Sequence, residues 1–191
     1  MVTNIVIVVA AVILLGVYVS WRAGRLDRLH IRLEAAHAAL DATLARRSSV
    51  ALELASSGFL DPATSLLLAD AAHVARGDGH SGDAGRSREL AESDLSRALR
   101  AAFAQPDVRA SLIGQDGADE LLAELESAAH QVFLARKFYN DAVAVTRAAR
   151  AKPLARVLRL AGGAERPEFF EIDDSLVAEG SGGADMQRLA G

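Results

Sequence analysis

The chain has 191 residues, no cysteine and a formal net charge of −4. That length suits one domain, with room for a second at most. The missing thiols exclude a disulfide frame, a thiolate nucleophile and cysteine-ligated zinc or iron–sulfur clusters, and the charge offers no basic field for nucleic acid. Alanine and leucine, both strong helix formers, supply much of the apolar content, while aromatic and β-branched residues are sparse after Val19. The fold class this predicts is all-α: an N-terminal transmembrane helix continuing into an antiparallel bundle of about four helices.

From Met1 to Trp21 there is no charged side chain, and about 20 such residues suffice to span a bilayer. We assign residues 1–21 as a transmembrane anchor. A cleaved signal peptide is the rival reading. It lacks support because no basic stretch precedes the apolar run and bulky residues fill Gly16-Val17-Tyr18-Val19-Ser20-Trp21, where cleavage needs small ones. Tyr18 and Trp21 suit the headgroup belt. Arg22, Arg25, Arg28 and Arg32 follow directly. Their excess on that side predicts an external N-terminus and a cytoplasmic C-terminal bulk, at the inner (plasma) membrane. They could also hold anionic headgroups, although marking topology accounts for them fully.

Residues 22–172 are expected to form the bundle, with a loop at 76–86. Leu26, Leu29, Leu33, Ala36 and Leu40 step by three and four, and Leu44, Ala51 and Leu54 extend the stripe. No proline interrupts the run from Ile5 to Leu54, so one helix of roughly 75 Å is expected. Gly58 suits a left-handed helix end, and Asp61-Pro62 suits the start of the next helix. Leu66, Leu67, Ala71 and Val74 are assigned as the apolar side of that second helix.

The segment Arg76-Gly77-Asp78-Gly79-His80-Ser81-Gly82-Asp83-Ala84-Gly85-Arg86 reads as a loop. Its carboxylates lack the alternating spacing of a calcium loop. Ser87 is the expected cap of a third helix, with Leu90, Leu95, Leu99 and Phe103 inward and Gln105-Pro106 as its end. Asp116 or Asp119 is the expected cap of a fourth, carrying Leu121, Leu122, Leu125, Ala129, Val132, Phe133, Tyr139 and Val143 to about Lys152. Leu154, Val157, Leu158 and Leu160 predict one or two further amphipathic turns. Phe169-Phe170 is read as closing the open end of the bundle. Residues 173–191, rich in glycine and acid, are expected to be a disordered tail.

The candidate site is a semi-buried polar layer of Asp41, Arg46, Arg47, Arg136, Tyr139 and Asn140, joining the first and last long helices. Arg47 falls on the apolar stripe, and a buried arginine needs a carboxylate or carbonyl partner. The alternative is that the arginines reach past the stripe to water along their methylene stems. Tyr139-Asn140 reads as an interhelical hydrogen bond plus packing, with a ligand contact as the other possibility. The five histidines lack metal-pair spacing and read as surface or rim residues. Glu120, Glu124, Glu126 and Asp119 read as a solvated face. No nucleophile elbow, phosphate loop, dinucleotide fingerprint or zinc-protease helix occurs, so no enzyme activity, cofactor or metal is expected. The expected partners are the lipid bilayer and a membrane protein, with a homo-oligomer as a further possibility.

Several local patterns occur together in order. Asp41 and, after Leu44, the doublet Arg46-Arg47 lie on the first helix. Gln105-Pro106-Asp107-Val108 precedes a long helix bearing Ala135-Arg136-Lys137-Phe138-Tyr139-Asn140-Asp141-Ala142-Val143, and Pro167 stands ahead of Phe169-Phe170-Glu171. In this the chain resembles the bacterial LemA family. It departs from the family where Ser48, Ser49, Leu52 and Glu53 replace a tyrosine and a proline–asparagine step. It departs again at Arg147 and Ala148, where a second asparagine is usual. The resemblance implies a single-pass membrane protein with a helical bundle and no catalytic residues. Its role would be that of a scaffold or adaptor at the membrane face, or else of a lipid- or membrane-stress-sensing accessory of a larger complex.

Overall fold

The computed structural model describes residues 1–77, 84–104, 112, 114–151 and 166–173. Among them the secondary structure is helical without strands: α1 (Val2–Ser56), α2 (Pro62–Gly77), α3 (Ala84–Phe103) and α4 (Ala118–Arg150). The protein is an all-α helical bundle preceded by a long apolar helical segment. Two compact units divide it. One comprises Met1–His37 with Phe138–Phe169, the other Ala38–Lys137 with Phe170–Gly191. Helices α1 and α4 contribute to both.

In the first unit the beginning of α1 is long and apolar enough to cross a membrane. Ile5, Val6, Ile7, Val8, Val9, Val12, Ile13, Leu14 and Val17 are all exposed. A contiguous apolar surface of this size is far beyond what a water-soluble monomer carries. Among the described side chains the first buried one of α1 is Leu26, and Tyr139, Val143 and Thr146 are the buried positions of α4 in the same unit.

The second unit holds the core. Val50, Ala51, Leu54 and Ala55 of α1 meet Leu68, Ala72 and Ala75 of α2, Ala91, Leu95 and Leu99 of α3, and Ala118 and Leu125 of α4, with Leu60 and Leu112 from the connections. Of the α1 stripe, Ala51 and Leu54 lie in this core, Leu40 and Leu44 are also excluded from solvent, and Leu29, Leu33 and Ala36 are half-buried.

The first connection also follows its local chemistry. Gly58 has φ +82°, the left-handed conformation that a side chain disfavours, and so ends α1. Asp61 Oδ1 accepts from the amides of Ala63 at 3.0 Å and Thr64 at 3.1 Å, and Pro62 opens α2. Hydrogen bonds from Thr64, hydroxyl first and then backbone, hold the Asp61 carboxyl below its ordinary 3.8.

Four local expectations are corrected. Helix α2 buries Leu68, Ala72 and Ala75, and Ala71 packs half-buried against the core as expected, whereas Leu66, Leu67 and Val74 are exposed. Ala72 and Ala75 let α2 approach α3 closely, which the bulkier leucines would prevent. On α3, Leu90 is exposed because it lies five residues, about 140° of helix, from Leu95. Helix α3 begins at Ala84, so Ser87 lies inside it and is not its cap. Neither Asp116 nor Asp119 caps α4. Gly117, at φ +84°, precedes its first residue, and Asp119 Oδ2 instead accepts from the Gly114 amide at 3.3 Å. The expected end of α4 near Lys152, the turns at 154–160, the loop residues 78–83 with Asp78, His80 and Asp83, and the tail 174–191 lie outside the described residues.

Candidate functional site

Two turns of α1 present Asp41, Arg46 and Arg47 to the other helices of the second unit. Arg47 shares the heptad-spaced stripe of Leu40, Leu44, Ala51 and Leu54, so the helix carries it into the core with them. It is only 2% exposed. Its Nη2 donates to Glu92 Oε2 at 2.6 Å and to the Glu92 carbonyl at 3.2 Å, and its Nη1 donates to Ser96 Oγ at 3.1 Å. Ser96 Oγ in turn donates to the Glu92 carbonyl at 3.0 Å. One turn of α3 thus supplies a carboxylate, a carbonyl and a hydroxyl to one guanidinium. Arg47 Nε is buried and meets no acceptor among the described residues.

Two ion pairs flank this contact. Arg88 Nη1 of α3 donates to Asp41 Oδ1 at 2.7 Å, partly buried. Arg46 Nη2 donates to Glu124 Oε1 of α4 at 2.8 Å, largely in solvent. Exposed pairs such as Arg46–Glu124 contribute little to stability. The buried pair has a different energetic character. Its Coulomb attraction is offset by the loss of hydration of both ions, so it fixes register more than it adds stability.

Burial pushes the Glu92 carboxyl above its ordinary 4.5, against the opposing pull of the Arg47 charge and hydrogen bond and of the Arg88 charge. The folded protein therefore binds a proton more readily at this position than the unfolded chain does. The associated stability is fully present below 4.5 and is lost as pH rises through the raised value. Asp61, shifted downward, acts in a separate window: its contribution is present above 3.8 and is lost as pH falls through the lowered value. Subtracting the pH profile of the denaturation midpoint of Glu92→Gln from that of the wild type is expected to leave a step that falls with rising pH above 4.5. A flat difference would contradict the assignment.

The layer differs from the expected one in its partner helix. Arg47 is bound by α3, and α4 meets Arg46 through the half-buried Glu124. Arg136 and Asn140 are half-buried, and Asp141 is exposed. Tyr139 is buried in the first unit, where its hydroxyl donates to the Glu168 carbonyl at 3.0 Å and its ring lies 5.5 Å from that of His37. In that unit Arg147 Nε also donates to the Pro167 carbonyl at 2.6 Å, and its guanidinium lies 4.6 Å from the centre of the Phe169 ring. Residues 166–169 are thus tied to α4 by two side chains. In the second unit the amides of Glu171 and Asp173 donate to Glu89 Oε1 at 2.8 Å and Ser93 Oγ at 3.3 Å of α3, and Arg100 pairs with Asp173.

Sequence reading missed Glu92, Ser96 and Arg88. A usable signal exists for the first two. Glu92 stands three and seven residues before Leu95 and Leu99, and Ser96 three before Leu99, so both fall on the inner face of α3. A carboxylate on one apolar stripe and an arginine on another are a complementary pair.

Among the described residues no group of three histidine, aspartate or glutamate side chains is placed to hold a metal ion. His30 is half-buried, and His37, His73 and His130 are exposed. No family model matches the chain, and neither the curated proteins nor the solved structures compared with it contain a match.

Proposed function

We propose that the protein is a membrane-anchored helical bundle of LemA-like type that acts as a non-catalytic scaffold or adaptor at the cytoplasmic face of the plasma membrane. The observation that carries this reading is the continuity of α1. An exposed apolar segment passes without a break into a helix whose later turns are buried among α2, α3 and α4. A helix built in this way couples the position of the bundle to the bilayer. The arginines that follow Trp21 favour an external N-terminus by the positive-inside rule. The sites the bundle offers are ion pairs between its own helices, which suits a rigid presenter of surface better than a reaction centre. The second reading is a lipid- or membrane-stress-sensing accessory of a larger complex, and the exposed arginines after Trp21 favour it.

Protease treatment of intact cells and of inverted vesicles tests the orientation. The C-terminal region is expected to be cut only in inverted vesicles, and cutting from outside would overturn the compartment. Purification in mild detergent then separates the two roles. Stoichiometric protein partners support the adaptor, and lipid-dependent behaviour without such partners supports the sensor.

A further inference from the structure

The arginine side chains described on α1 fall into two populations. In the bundle, Arg46 and Arg47, like Arg88, Arg97, Arg100 and Arg147 on other helices, each reach an acceptor. Arg25, Arg28 and Arg32 are exposed and reach none among the described residues. At 100° per residue these three share an arc of about 60° on α1. The acids of the same stretch, Asp27 and Glu34, lie roughly 140° round the helix, too far to neutralise them. The inward positions Leu26, Leu29 and Leu33 occupy a third sector. The helix therefore presents a cationic face without counter-ions among the described residues, shortly after the apolar run.

We infer that Arg25 and Arg28, with Arg32 extending their field, bind the headgroups of anionic phospholipids in the bilayer that holds the apolar run. This inference rests on the proposed membrane anchoring. Measured from Trp21 at the headgroup level, the three arginines stand about 6, 10 and 16 Å along the axis. The headgroup layer is about 5–7 Å deep on each side. Arg25 lies within it, and Arg28 reaches it with an extended side chain. Arg32 is beyond contact on an upright helix and about a Debye length from the surface, so it extends the field but holds no phosphate. Guanidinium groups suit this ligand, since their planar fork matches two phosphate oxygens. The contributions are therefore graded, Arg25 above Arg28 above Arg32.

Trp21 is the chain's sole tryptophan and lies one helical turn before Arg25, so its fluorescence reports the lipids around this face. The full-length protein is reconstituted in phosphatidylcholine vesicles containing either acyl-brominated phosphatidylglycerol or phosphatidylcholine brominated at the same position, at equal mole fraction. The brominated anionic lipid is expected to quench Trp21 more strongly, corresponding to a local enrichment of about fivefold, and to lose this advantage as salt is raised. R25Q/R28Q/R32Q is expected to abolish the preference, and D27N/E34Q to retain it. Equal quenching of the wild type by both lipids would overturn the inference and leave the anchoring intact. A preference that survives in the triple variant would also overturn it. Quenching by neither lipid would overturn it together with the anchoring on which it rests.

Discussion

Replacing Glu92 by leucine is expected to destabilise the bundle by about 3–5 kcal/mol near neutrality, and the loss relative to the wild type is expected to grow on acidification, because the raised Glu92 carboxyl that stabilises the wild type at low pH is gone. The reason is chemical. The substitution leaves Arg47 in the core with only the residue-92 carbonyl and the Ser96 hydroxyl as acceptors, and a guanidinium cannot shed its proton to become neutral. Arg47→Leu removes the other half of the pair, and its cost is expected to be smaller and to shrink as the solution is acidified. The stranded Glu92 carboxyl, already raised by burial, can escape its charge by binding a proton. The double variant R47L/E92L is expected to recover most of the loss, because two apolar groups need no partner. Denaturant titrations of the four proteins in one detergent, near neutrality and at mildly acidic pH, complete the cycle. Additive losses in the double variant, or equal pH dependence of the two single variants, would show that Arg47 and Glu92 do not act as a buried pair.

The second large effect concerns location. Deleting residues 2–21 is expected to move the protein from the membrane pellet to the soluble fraction while its bundle still unfolds cooperatively. Among the described side chains the buried set starts at Leu26, so the deletion removes none of the buried residues described. It does remove the contiguous exposed apolar surface from Val2 to Val17. Flotation of the full-length and shortened chains with liposomes, followed by thermal unfolding of the shortened one, provides the check. A shortened chain that still floats would place the membrane attachment elsewhere. A shortened chain without a cooperative transition would show that the apolar segment is part of the fold.

What could be read in advance divides by the range of the interactions. The α1 stripe, the Gly58 end and the Asp61-Pro62 start are decided within a few residues of chain by periodicity, a left-handed backbone and a side-chain cap. All three were legible. The faces of α2 and α3 were not. In α2 the larger side chains Leu66 and Leu67 dominate any count of apolar residues, but close approach to α3 selects the small face of Ala72 and Ala75. In α3 the same bias toward bulk drew Leu90 inward and passed over Glu92. The layer shows the same limit. That Arg47 would need a carboxylate follows from its place on a buried stripe. That the carboxylate belongs to α3 could be suspected from the place of Glu92 on the stripe of Leu95 and Leu99, but the pairing of that helix with α1 depends on which helices become neighbours. The start of α4 was misread for a further reason: Asp116 and Asp119 are both plausible caps by composition, while Gly114 and Gly117 set the backbone there.

The measurement that bears most directly on the account is a spin-label scan along α1 in lipid. The chain contains no cysteine, so a single cysteine introduced at successive positions from Ile5 to Leu54 gives one unique label each time. Accessibility to oxygen and to a water-soluble relaxant is then recorded for each. The account predicts helical periodicity of about 3.6 residues throughout, with lipid exposure up to Trp21 and water exposure alternating with burial beyond it. A loss of periodicity between Trp21 and Leu40, or water exposure along the apolar run, would contradict it.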